Sequence, residues 1–144
     1  MKYPRSPREK IQGIVYFGRM IDKMRLMNAG ELHPDLHANL GKAFDERCAN
    51  FLGVRYEDLA GCIKAGLTDN DALTWCFENG VTPTEEQIEI WNAFMSKRGW
   101  NDDATATLIR RKQESGFETR DEIQTMFDYI DADEGRPVPP AIVS

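Results

Sequence analysis

The chain has 144 residues, 41% of them hydrophobic and 29% charged, with 24 acidic against 18 basic side chains and a net charge of −6. A chain of this length buries roughly 68–70% of its unfolded surface as one domain, so it needs neither a metal nor disulfides to fold. The acidic balance, with no basic stripe interleaved with aromatics, speaks against a phosphate backbone as partner, and nucleic acid is not expected.

The opening MKYPRSPREK has no apolar run before Ile11. No later stretch approaches the roughly 18 consecutive apolar residues of a membrane span, so a soluble, unexported protein with no membrane partner is expected. Cys48, Cys62 and Cys76 are an odd number without a CxxC or Cys/His cluster, each within an apolar helical pattern. That predicts reduced, buried thiols and a cytoplasmic location.

Taken in order, Ser6-Pro7-Arg8-Glu9 has the form of a capping box, and Ile11, Ile14, Val15, Gly18, Ile21 and Met24 recur at helical spacing. This predicts a first helix from Pro7 to Ala29, stopped by Gly30, with Gly13 and Gly18 inside it for close helix crossing. A loop over 31–39 leads to a second helix over Leu40–Leu52, and Tyr56–Ala65 makes a third. Thr68 and Asp71 open a fourth over 69–79, where Ala72, Leu73, Trp75, Cys76 and Phe77 leave no polar face at mid-helix and predict the central core helix. Thr82, Pro83 and Glu85 open a fifth over Pro83–Arg98, closed by a Schellman stop in which Trp100, after Gly99, folds back on Met95. Asn101 or Asp102 caps a sixth helix to Gly116, and Thr119-Arg120-Asp121-Glu122 opens a seventh with Ile123, Met126, Phe127 and Ile130 inward. The expected fold is all-α, a compact irregular bundle of about seven helices forming a single domain over 1–136, with an extended proline-rich tail over 137–144.

The segments SPREK, GRMIDKMR, FDERCANFLGV, YEDL, TDNDALTWCFENG and DYIDADEGR give the chain, from about Ser6 to Arg136, a resemblance to a bacterial family known as domain of unknown function 5069. The best-marked part is Gly18-Arg19-Met20-Ile21-Asp22-Lys23. The resemblance implies a bacterial single-domain protein and carries over no activity and no catalytic residue.

Candidate chemistry lies in two charge clusters. Arg19, Asp22, Lys23 and Arg25 sit three or four apart on the first helix, so Asp22 can pair with Arg19 or Arg25. Cations left over could hold a small anion such as a carboxylate or phosphate, while the simpler reading is an ion-pair network. Asp128, Asp131, Asp133 and Glu134 crowd the end of the seventh helix, where the macrodipole disfavours acids. Arg136, the basic group of the first helix, a bound cation or a basic partner would offset them, and docking of the first and last helices through these charges is expected. An EF-hand is excluded, because its glycine and closing glutamate are out of register. His33 and His37, with Pro34 between them, read as surface histidines in a turn, and no metal site is expected. No G-x-S-x-G, P-loop, Rossmann glycine pattern or HExxH occurs, and no cofactor is called for. Trp75 and Trp91 read as core residues and Trp100 as a partly exposed anchor.

These readings leave two functions. One is a small protein-interaction or regulatory module with an unidentified protein partner or a second copy in a homodimer. The other is a binding protein or enzyme for a small anionic ligand, built on Arg19, Asp22, Lys23 and Arg25 with Asp128 or Asp131.

Overall fold

The computed structural model describes residues 1–139, so the predicted tail lies outside the described residues from Pro140 on. The chain is mostly helical. A short hairpin of β1 (Lys10–Ile11) and β2 (Ile14–Val15) precedes α1 (Phe17–Asn28), a 3-10 turn (Pro34–Asn39), α2 (Phe44–Leu52), α3 (Tyr56–Lys64), α4 (Asp69–Asn79), α5 (Glu85–Lys97), α6 (Thr105–Glu114) and α7 (Met126–Asp133). Among the described residues no helix is long and apolar enough to cross a membrane. The chain divides into two units, Met1–Glu89 and Ile90 onward, with the division inside α5.

In the first unit the predicted long opening helix is replaced by a turn, a hairpin and a shorter helix. Ser6 heads a turn, accepting from the Glu9 amide at 3.2 Å through its carbonyl. Ile11 and Ile14 then pair across Gln12 and Gly13. Both turn residues have positive φ, 48° and 82°, as a two-residue type I′ turn requires. Gly13 therefore serves this turn rather than a helix crossing. Spacings of three and four among Ile11, Ile14 and Val15 fit a helix, but they also fit two short strands joined by a tight turn.

Gly18 does mark a close approach, although to an extended segment instead of a helix. A Cβ there would lie 2.9 Å from the Arg5 side chain and 3.1 Å from Ile11. Helix α1 is the centre of this unit, burying Phe17, Met20, Ile21 and Met24. It packs on α3 and β1, and α3 in turn meets α2 and α4. Helix α4 runs over the predicted residues and is capped by Thr68, which accepts from the Asp71 amide at 3.2 Å. It is not the central helix: Ala72, Leu73 and Cys76 are buried, whereas Thr74 and Glu78 are exposed and Trp75 is half-buried. The second helix starts at Phe44 and not at Leu40, because the turn before it takes positive φ at Gly41 and Ala43, 74° and 53°, which no right-handed helix accommodates.

In the second unit Trp91, Met95, Leu108, Ile123, Met126 and Phe127 are buried. The fifth helix starts two residues later than expected because Thr84, rather than Thr82, forms the capping box: its hydroxyl accepts from the Gln87 amide at 3.1 Å and its amide donates to Gln87 Oε1 at 2.9 Å. No Schellman stop forms after α5. The Gly99 amide donates to the Asp102 carboxylate at 3.0 Å, and Trp100 is 56% exposed. Helix α7 opens at Thr125, not Thr119, so its capping box pairs Thr125 with Asp128. Helices α6 and α7 pack on each other.

Two glycines give opposite expectations. At Gly80 a Cβ would collide with the Leu52 carbonyl oxygen and lie 2.8 Å from Val54. Since the backbone oxygen cannot yield, Gly80→Ala should cost about 2–3 kcal/mol. Gly61 lies inside α3 with open space around it, so Gly61→Ala should add about 0.5–1 kcal/mol. Urea unfolding of both variants against the parent protein reads each sign directly.

Candidate functional site

The four charged residues singled out on α1 divide between two sides of the helix. Arg19 and Lys23, four apart, are 3% and 4% exposed. Asp22 and Arg25, three apart, lie on a partly open side. The structure therefore builds two polar centres here instead of one.

The open centre is a ring of alternating charge. Asp22 accepts from Arg5 Nε and Nη2, each at 2.8 Å, and from the Arg5 amide at 3.1 Å. Arg5 also reaches Asp69 at 3.0 Å. Arg25 closes the ring, 2.6 Å from Asp69 and 3.4 Å from Asp22, and donates to the Leu67 carbonyl at 3.1 Å. Two guanidinium groups thus face two carboxylates, and the charge of Arg25 is matched inside the chain. Burial pushes the Asp69 carboxyl up, but the hydrogen bonds from Arg5 and Arg25, with their charges, outweigh it and hold it below the usual carboxylate range.

The buried centre is organised by Asp45, in the first turn of α2 and fully buried. Its carboxylate accepts from Tyr16 Oη at 2.6 Å, from Lys23 Nζ at 3.0 Å and from the Gly41 amide at 3.0 Å. Arg19 donates to the Arg5 carbonyl at 3.2 Å, and its charge acts to lower the Tyr16 pKa. Burial, then the Asp45 charge, nonetheless pushes the Tyr16 phenol well above its ordinary value, and the same two causes raise Tyr56. The backbone bends to deliver these groups: Tyr16 has φ 75° and Ala43, two residues before Asp45, has φ 53°. Both are left-handed conformations that non-glycine residues seldom adopt.

Asp128 and Asp131 belong to the second unit. Asp128 stands in the first turn of α7, not the last, accepting from the Gln124 and Thr125 amides at 2.9 and 3.2 Å. Its charge there is favourable, being at the positive end of the helix dipole. Asp131 is near the negative end, where Arg136 offsets it: Nη1 lies 3.2 Å from Asp131 and 2.7 Å from Glu134. Of the offsets considered for the crowded acids, Arg136 is thus present within the same unit.

The other candidates are held in local structure. His33 caps the 3-10 turn, accepting from the Asp35 amide at 3.2 Å, and stacks on Tyr3 at 4.6 Å, while His37 bonds the Leu32 carbonyl at 3.0 Å. Cys48 and Cys76 are buried and Cys62 half-buried, and all three are free thiols. Burial pushes Cys76 up to about 12 and Cys48 well above its usual value, so both stay protonated and weakly nucleophilic at neutral pH.

Sequence reasoning missed Arg5, Tyr16, Asp45 and Asp69. Asp69 could have been noticed as an acid in the first turn of a well-marked helix. Asp45 gave a weaker sign, an acid among Phe44, Cys48 and Leu52 at core spacing.

Removing Asp45 leaves the Lys23 ammonium buried without its carboxylate, so Asp45→Ala should cost about 3–5 kcal/mol. Lys23→Met combined with Asp45→Leu should recover much of that loss in urea unfolding. For Asp69 the folded pKa is depressed, so its contribution is present above the unfolded value of about 3.9 and is lost as the pH falls below it. Stability measured from pH 7 into the acid range should therefore decline less steeply in Asp69→Asn than in the parent protein.

No curated protein matches the chain. A family model does match, over residues 1–136, and agrees with the resemblance carried by the opening and central segments. Since that match spans far more than half of the chain, the protein belongs to the family described as Domain of unknown function (DUF5069).

Proposed function

We propose that the protein is a small cytoplasmic interaction or regulatory module that presents part of its second unit to a protein partner. The observation that carries this reading is the exposure of large apolar side chains there: Ile90 is 61% exposed, Trp100 56%, Ile109 52% and Phe94 39%. Exposed aromatic side chains next to arginine are the residue types that anchor protein interfaces, and Arg98 lies over the Phe94 ring at 5.5 Å. The cytoplasmic location rests on the three free thiols, which suit a reducing compartment.

The rival reading, a binding protein or enzyme for a small anion, needs cations that the chain does not neutralise itself. Lys23 is matched by Asp45 and Arg25 by Asp69 and Asp22. These pairings favour a structural role for the basic group of α1.

Native mass spectrometry of protein purified without added ligand should show the bare chain. A discrete bound small molecule, lost in the Lys23→Met and Asp45→Leu double variant while that variant stays folded, would overturn the interaction reading in favour of the anion site. Affinity enrichment from the producing cells should recover a protein that Trp100→Ala retains at least about thirtyfold less tightly, the loss of a hot-spot residue worth about 2 kcal/mol, with unchanged melting temperature. Equal recovery by both proteins would count against this surface.

A further inference from the structure

We infer that the protein self-associates through the outward face of α5, which pairs antiparallel with α5 of a second copy about a two-fold axis. This rests on the reading as an interaction module and adds a second copy of the chain as a partner, on a face of α5 that does not include Trp100.

Helical geometry places Glu86, Ile90, Ala93, Phe94 and Lys97 on one stripe of α5, at spacings of three and four. All five are exposed, while Trp91 and Met95 are buried on the opposite side of the same helix. The stripe is ordered: Glu86 near its start with Glu89 at its margin, apolar residues in the middle, a base at its end. Ile90 is more exposed than any other large apolar side chain described except Met1. The Phe94 ring, with the Arg98 guanidinium over it, is held at the surface.

This order is complementary to itself in one orientation. Antiparallel pairing about the middle of the helix brings Glu86 of each copy to Lys97 of the other and sets Ile90 against Ala93 and Phe94. Parallel pairing would oppose like charges at both ends. Glu86 and Lys97 form no ion pair inside the chain among the described residues, so both are available to a second copy. A two-fold contact uses the same patch on both partners and closes without forming filaments. The helix of 13 residues is about 20 Å long. With Ile90 and Phe94 as its large apolar side chains, the contact is small, so the dimer should be weak and concentration-dependent.

Sedimentation velocity of the full chain, from micromolar to millimolar concentration, tests this. The expected result is a reversible monomer–dimer equilibrium that Ile90→Asp abolishes. Glu86→Lys and Lys97→Glu should each weaken it about tenfold or more, and the two together should restore it, because the exchanged charges again face their opposites. Circular dichroism should be unchanged in every variant, since all these side chains are exposed. A monomer at every concentration, or a dimer indifferent to these changes, overturns self-association through α5. The enrichment with Trp100→Ala uses a residue outside the stripe, so the interaction reading stands or falls separately.

Discussion

The first unit depends on satisfying one carboxylate that has no access to water. Burying an ionised Asp costs several kcal/mol unless charge and hydrogen bonds replace its hydration. Asp45 obtains that replacement from three places in the chain: the junction of hairpin and helix through Tyr16, the middle of α1 through Lys23, and the turn before α2 through the Gly41 amide. Each donor has to arrive from a fixed direction, and together they set where α2 begins relative to α1. The positive φ angles at Tyr16 and Ala43 follow from this demand, each costing on the order of 1–3 kcal/mol. The buried network holds both residues in place.

The ring of Arg5, Asp22, Arg25 and Asp69 performs a similar task nearer the surface. It ties the opening segment to α1 and α1 to the start of α4. Gly18 is part of the same arrangement, because any side chain there would displace Arg5. Burial and ring closure together engage two of the cations of α1 inside the first unit. Its Arg25 and Lys23 charges meet carboxylates of the same chain. The apolar side chains exposed on α5, and at Trp100 beyond it, are the observation on which the proposed partner contact rests.

Legibility in the sequence varied with how local the deciding interaction was. Helices α3 and α4 could be placed within a residue because their caps and stops lie next to each other, as with Gly66 and Thr68. The starts of α5 and α7 were displaced because each had two candidate caps. At Thr82 and Thr119 the pattern was present, but Thr84 with Gln87 and Thr125 with Asp128 make the hydrogen bonds. Moving the start of α7 also reversed the meaning of Asp128, from a strained acid at a helix end to a cap at a helix beginning. The hairpin was hidden for a different reason: its apolar spacing is compatible with both structures, and pairing across Gln12-Gly13 supports only two residues per strand.

By itself the sequence determined the helical class, the succession of helices from α3 to α5, the family, and the existence of a charged group in the middle of α1. The family follows from whole segments such as 18–23, whereas the rest follow from periodicity and capping, which act over three or four residues. Only the tertiary structure decided that Arg5 meets Asp22 across 17 residues, Lys23 meets Asp45 across 22 and Arg25 meets Asp69 across 44. A charge on a helix restricts its neighbours along that helix, but it does not choose among the many opposite charges elsewhere in the chain. That choice is made by packing, which brings particular side chains within hydrogen-bonding distance and leaves the others in water.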